Sequence, residues 1–376
     1  MRLKNNQFYM LLILLCFNLF QGVRSETVIY EDVENKFVVE QLTKGLGVIW
    51  GMAFISKNEM MFTQRNGKIG ILNLTNSRIV WMKNMPDVFH EGQGGLLDVA
   101  VSPHFKTTQL IFFTYSKKLG SKSVTALATA QLLDGQLQNW KDILLSQSQE
   151  KADYHYGSRI AFDDNGHVFF SIGDRGTRSN SQNLSNHAGS ILRLNIDGSI
   201  PFDNPFVNSS SVLPEIWSYG HRNPQGLVYD KLSKRLWAIE HGPRGGDEIN
   251  LIIAGKNYGW PIISYGKEYW GPISVGEGTH KKGMEQPVKY YVPSIAPSSL
   301  MIYSGRAFTA WKGNLFAGAL KLKHINRVVL DSNAQAISEQ RLLSRLKERI
   351  RCLVENSKGL IYVATDSGKI LRLRPH

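Results

Sequence analysis

Polar side chains suited to binding or transforming a ligand gather in a few short segments of this 376-residue chain, each beside an apolar, strand-like run. HEGQGGLLDVAV sets His90, Glu91 and Gln93 before a strand, and Gly92, Gly94 and Gly95 permit close backbone approach. Gln93 could hydrogen-bond a ligand, or the segment could be a glycine-rich hairpin turn. In DYHYGSRIAFDD, His155 lies among aromatic neighbours, where a partly desolvated imidazole stays neutral and can accept a proton near neutral pH. A purely structural histidine is the alternative. Arg159 shares the alternating face of His155 if the following strand begins early. GHRNPQGL holds Arg222 and Asn223 between turn residues, and EHGPRGGDEINLI follows after one hairpin. There the carbonyls of Gly242 and Pro243 suit calcium, a hard cation that takes six to eight oxygens, and Asp247 and Glu248 add carboxylates. A loop with exposed acids is the other reading. KERIRCLV places Arg349 and Arg351 two apart in a β-like stretch, so both guanidinium forks point to one face and can grip carboxylates, with Lys321 available to join them. A basic edge strand that discourages aggregation would show the same pattern.

The elements that must position these groups repeat. An apolar strand, a polar turn and a second β-branched or aromatic strand recur as GMAFISKNEMMFTQRNGKIGIL from Gly51, LDVAVSPHFKTTQLIFFTYS from Leu97 and SRIAFDDNGHVFFSIGDRG from Ser158. The pattern returns as GLVYDKLSKRLWAIEHGP from Gly226, SGRAFTAWKGNLFAGALK from Ser304 and LVENSKGLIYVATDSGKILRLR from Leu353. Period-two alternation marks six antiparallel hairpins, and since no hairpin buries both faces alone, radial repetition is the economical closure. The fold expected is all-β, a six-bladed β-propeller of four-stranded antiparallel sheets; a two-sheet sandwich accords less well with the chain length and repeat count. The last repeat lacks chain to finish its blade, and Val28–Leu42 could supply the missing outer strand. Insertions near residues 177–213 and 261–300 are the expected site-forming loops. Ala336–Lys347 is the one stretch with a helical signal.

The chain ends and composition bound the rest. Arg2 and Lys4 precede an apolar run from Tyr9 to Phe20, with a cleavage site expected before Glu26, so residues 1–25 read as an export signal and 26–376 as one soluble domain, periplasmic or secreted. Loss of Arg2, Lys4 and Arg24 with the signal reduces the 44 Lys and Arg residues to 41 against 31 acids, a surplus that favours anionic ligands. The basic residues are scattered and no nucleic-acid signature is present. Cys352 then has no disulfide partner, so stability rests on a core. Dinucleotide, P-loop, nucleophile-elbow and zinc-protease motifs are absent.

Taken in order, EHGPRGGDEINLI, KNYGWP, EQPVKYYVPSIAPSS and ERIR resemble the soluble pyrroloquinoline-quinone-dependent sugar dehydrogenases, and the aldose branch in particular. The resemblance implies that His155 is the catalytic base, that Gln93 contacts substrate and quinone, and that Arg222 and Asn223 meet the reactive quinone oxygens. It further implies that Lys321, Arg349 and Arg351 hold the cofactor's three carboxylates and that the Gly242 and Pro243 carbonyls bind its calcium. Asp247, Glu248 and Tyr258 resemble a second calcium site. The product would be a sugar lactone, with an external electron acceptor and a monomer or homodimer. The chain departs from the glucose-oxidising branch at Tyr154, where that branch has an acid; Asp153 lies one further back, and His241 and Arg244 follow the aldose branch. A calcium-dependent lactonase and a non-catalytic recognition propeller are the rival readings.

Overall fold

In the computed structural model, which describes residues 27–31, 36–83 and 85–376, five of the six repeats open an antiparallel sheet, whereas the repeat from Ser304 begins after the first strand of its blade, Pro297–Ile302, and supplies only the second, Leu315–Ala319. Blade 1 comprises Ile49–Phe54, Glu59–Gln64, Ile69–Asn73 and Ile79–Trp81; blade 2, Leu96–Val101, Leu110–Leu119, Lys122–Leu133 and Gln136–Leu145. Blade 3 comprises Ile160–Phe162, His167–Ile172, Ser190–Asn195 and Ile216–Tyr219; blade 4, Pro224–Asp230, Arg235–Glu240, Asp247–Ile252 and Lys289–Tyr291. Blade 5 is built from Pro297–Ile302, Leu315–Ala319, His324–Leu330 and Ala336–Leu342. Blade 6 takes Ile350–Glu355, Ile361–Thr365 and Ile370–Pro375 from the C-terminal end and Lys36–Thr43 from the N-terminal end, with Thr27–Glu31 as a fifth strand. The expected strand from Val28–Leu42 is thus present as two strands, and Val39 faces Leu373 in the register that closes the ring. The signal expected over residues 1–25 lies outside the described residues.

Alternating apolar residues give each blade two faces to bury. The buried side chains form a cluster in every wedge between neighbours, for example Phe113, Tyr115 and Ala128 of blade 2 against Met61 and Ile69 of blade 1. Leu42, Cys352 and Tyr362 of blade 6 likewise pack on Ile49 and Phe62 of blade 1, so first and last blades meet as the others do. No sheet-to-sheet pair is left open, which is why the repeats close radially rather than as a sandwich.

Two further expectations are corrected. Ala336–Leu342 is an outer strand paired with His324–Leu330, and only Ser344–Leu346 forms a short 3-10 turn; an edge strand gains a full ladder of hydrogen bonds, whereas a lone helix there would have no apolar face to pack on. The described residues contain one α-helical turn, Phe105–Thr108, in a hairpin connection. Arg159 does not share a face with His155. The strand begins only at Ile160, and His155, Gly157 and Ser158 all have positive φ (57°, 63° and 83°), so the chain turns between them and Arg159 enters the central channel instead.

This topology gives a simple rule of position. First strands line the axis and run the same way, and second strands return antiparallel to them. Residues just before a first strand and just after a second strand therefore lie at one mouth. Gln93, His155, Arg222, Asn223 and Arg349 obey the first condition; Gly242, Pro243 and Lys321 obey the second.

Candidate active site

His155 is held at that mouth from several sides. Its backbone N–H donates to Gln93 Oε1 at 3.0 Å, and Gly173 lies so close beneath that a Cβ there would stand 2.4 Å from the His155 carbonyl oxygen. Arg175, fully buried, stacks 3.6 Å from the Tyr156 ring and donates to the carbonyls of Ala152 and Tyr154, bracing the loop on either side of the histidine. Asn223 accepts from Gly157 N–H at 3.1 Å. A non-glycine residue in the left-handed region persists only where its surroundings impose it, and these contacts do so.

The imidazole meets an acid that the sequence reading missed. His155 Nδ1 is 2.6 Å from Asp174 Oδ1; Gly176 N–H donates to the same oxygen at 2.8 Å and Trp260 Nε1 to the other at 2.8 Å. Hydrogen bonding to His155 and the nearby Arg222 charge outweigh burial and keep the Asp174 carboxyl below its ordinary range, so it is ionised and only accepts. Nδ1 must then carry the proton, and the Nε2 lone pair is left bare. Burial, assisted by Arg222, lowers the His155 pKa despite the opposing pull of Asp174. A neutral imidazole with a free Nε2 is a base in its working form. Asp174, rather than Asp153 or the residue before the histidine, therefore sets its orientation; Tyr154 packs edge-on against the ring with centroids 4.8 Å apart.

Arg222 stands beside this pair. Its backbone N–H donates to Glu240 at 2.7 Å, and Glu240 also accepts from His221 Nδ1 at 2.9 Å. The guanidinium donates through Nη1 to the Gly242 carbonyl at 2.9 Å and through Nη2 to the Tyr269 hydroxyl at 3.4 Å, while its Nε is buried without a partner. Tyr269 in turn donates to the Pro243 carbonyl at 3.2 Å. Tyr154, His155, Asp174, Arg178, Arg222, Trp260 and Tyr269 line one cleft of about 370 Å³. Both long insertions contribute, and Arg178 joins them by a two-pronged ion pair to Glu268 at 2.6 and 2.7 Å.

The basic group lies across the mouth on blades 5 and 6. Arg349 and Arg351 both grip Asp366, through contacts of 2.7 and 2.8 Å, and Arg351 reaches Gln225 at 3.3 Å. Arg349 also donates to the carbonyl of Leu320, which places it next to exposed Lys321. Arg351 is buried, so the pair is not a solvated edge strand.

The second acidic group separates into two. Glu248 lines a small cavity of about 10 Å³ with Glu240, Gly242 and Tyr258, room for one water-sized sphere or ion. Burial and the Glu240 charge push Glu248 up to about 8, and Asn250 donates to both carboxylates. Asp247 is occupied differently: its oxygens accept from Gly242, Ser294, Ile295 and Ala296, fixing the turn that presents Gly242. The Tyr258 hydroxyl is spent on Leu251, to which it donates, and on Ile253, from which it accepts.

The sequence profile of the family described as glucose / sorbosone dehydrogenase matches residues 46–372, which take in blades 1–5 and most of the C-terminal strands of blade 6. The chain belongs to the glucose/sorbosone dehydrogenase family. Within it, aldose sugar dehydrogenase YliI of Escherichia coli is 37% identical over 346 residues, covering 90% of this chain and 92% of that protein. Quinoprotein glucose dehydrogenase B of Acinetobacter calcoaceticus is 26% identical over 420 residues, covering 90% and 86%. The crystal structure of the soluble E. coli aldose sugar dehydrogenase in its apo-form superposes with a TM-score of 0.86 at 35% identity, covering 90% of this chain and 99% of that one. For this glucose/sorbosone dehydrogenase family member, a buried guanidinium with an unpartnered Nε, two turned-in carbonyls and a basic cluster across the mouth fit a tricarboxylate quinone with its calcium.

Proposed function

We propose that the chain oxidises the anomeric carbon of aldose sugars to lactones with pyrroloquinoline quinone and calcium, His155 acting as general base. The observation that carries this reading is the buried His155–Asp174 pair opening, with Arg222, onto one cleft. When bound, the quinone supplies a two-electron hydride acceptor and calcium a Lewis acid that polarises it. Lys321, Arg349 and Arg351 would hold the cofactor's carboxylates, Asn223 and Arg222 its reactive end, and the Gly242 and Pro243 carbonyls its metal. His155 Nε2 takes the proton from the sugar's anomeric hydroxyl as hydride departs, and Asp174 stabilises the imidazolium so formed. Arg222, whose Nε has no protein partner, supplies positive charge where negative charge develops. Gln93, exposed and hydrogen-bonded to the His155 backbone, would contact the substrate.

Apoprotein supplied with the quinone and calcium is expected to reduce an artificial dye only when an aldose is present, and His155→Ala to lose turnover by 10²- to 10⁴-fold or so while keeping the cofactor. Turnover of a lactone to its open acid without the quinone would favour the lactonase reading. The basic and apolar pattern of the first 25 residues supports export to the periplasm or medium; an N-terminus at Glu26 in the mature protein is the expected finding.

A further inference from the structure

Arg65 comes directly after the second strand of blade 1, as Asp366 does in blade 6; Asp174 and Lys321 lie two residues after the second strands of blades 3 and 5. It was not among the residues singled out from the sequence. Its carbonyl accepts from Leu96 N–H at 3.0 Å, and its side chain passes over Gly95, where a Cβ would stand 2.7 Å from Arg65 Cγ. Gly95, at φ 141°, is therefore what lets the arginine lie between the Gln93 loop and the Arg349–Arg351 pair. The guanidinium feels the charges of Arg351 and Asp366, and its Nε is buried with no hydrogen-bond partner.

The charges at this edge of the mouth do not balance. Asp366 is already gripped by Arg349 and Arg351, and Glu348 is taken by Lys369 at 2.8 Å. Counted against Asp366, the four cations Arg65, Lys321, Arg349 and Arg351 leave three positive charges over, and without Arg65 the surplus is two. A half-buried guanidinium with an unused donor, set beside a like charge, is a ready partner for an anion.

We infer that Arg65 is a fourth cationic arm of the cofactor site and binds one of the quinone's three carboxylates. This rests on the reading of the site given above. The test is a fluorescence titration of calcium-loaded apoprotein with pyrroloquinoline quinone and, in parallel, with its trimethyl ester, using Trp260 in the cleft as reporter. Arg65→Ala should raise the Kd for the free acid about tenfold and leave that for the ester unchanged, and Arg65→Lys should fall between, since it keeps charge but loses the planar fork. Equal affinity of wild type and Arg65→Ala for the free acid overturns the inference, as does equal weakening for acid and ester, which would mark a packing role. If Arg65→Ala does not fold, the acid-to-ester ratio for Arg65→Lys decides alone. Failure of the wild type to bind the quinone would overturn the cofactor reading as well, and is distinguished by the wild-type titration itself.

Discussion

At the scale of single residues, the proposed base has its proton inventory fixed by one neighbour. Asp174 can only accept, so it forces the His155 proton onto Nδ1. Asp174→Asn presents either an amide hydrogen or a weaker acceptor and admits the wrong tautomer; kcat should fall on the order of 10²- to 10⁴-fold with sugar KM little changed. Because burial holds the folded-state His155 pKa below 6.5, the neutral base is fully present above that value and is lost as pH falls through the depressed pKa. The pH profile of kcat/KM should rise on an ionisation below 6.5 and then level off; a midpoint at or above 7 would contradict the assignment. His155 itself was legible in the sequence because an imidazole among aromatics stands out. Asp174 was not, since a lone acid after a strand in SIGDRG looks like any turn residue, and its identity as a partner depends on the return of a strand that pattern reading does not place in space.

At the scale of the element, the hairpin explains which residues meet. The alternation that identified six hairpins also sets the order of strands within each blade, and a residue just after a second strand comes back to the mouth from which the first strand set out. Once the hairpins are placed in space, that rule picks out Asp174, Asp366 and Arg65 as residues of the mouth. It also shows why Asp247 and Glu248, adjacent in the chain, do different work: successive residues of a strand point to opposite faces, one to the turn holding Gly242 and the other to the cavity. Arg349 and Arg351 are preorganised by Asp366 on the next hairpin turn, so their entropy is spent before any ligand arrives. Replacing both by Ala should weaken quinone binding by on the order of 10²-fold or more, measured by titration, with kcat at saturation largely retained. A lower kcat at unchanged affinity would contradict that division of labour. The helical reading of Ala336–Lys347 failed for a reason at this scale: the outer edge of blade 5 offers a partner strand and no apolar surface for a helix.

At the scale of the whole molecule, one buried ion pair ties the ring together beneath the site. Arg159 of blade 3 donates to Asp98 of blade 2 at 2.7 Å, to the carbonyl of Gln225 in blade 4 at 3.1 Å and to that of Ser298 in blade 5 at 2.9 Å. It also lies 3.8 Å from Cys352 Sγ of blade 6 and 4.2 Å from the ring of Trp50 at the start of blade 1. Arg159→Met leaves Asp98 charged and unpaired in the channel and should cost about 3–5 kcal/mol in chemical denaturation, part of which Asp98→Asn in the same chain should restore. The six-fold closure was legible because the repeats are, but this hub was not: its neighbours are spread over more than 300 residues and share no motif. The same convergence makes the mouth a single site from segments around residues 93, 155, 222, 242 and 350, and it is tested most directly by one anaerobic turnover. Protein loaded with one equivalent of quinone and calcium, mixed with excess aldose and no external acceptor, should form one lactone per bound quinone with matching reduction of its absorbance, and His155→Ala should bind the quinone and form none. Lactone formed in the absence of the quinone, or at the wild-type rate by the loaded His155→Ala protein, would contradict the proposed chemistry.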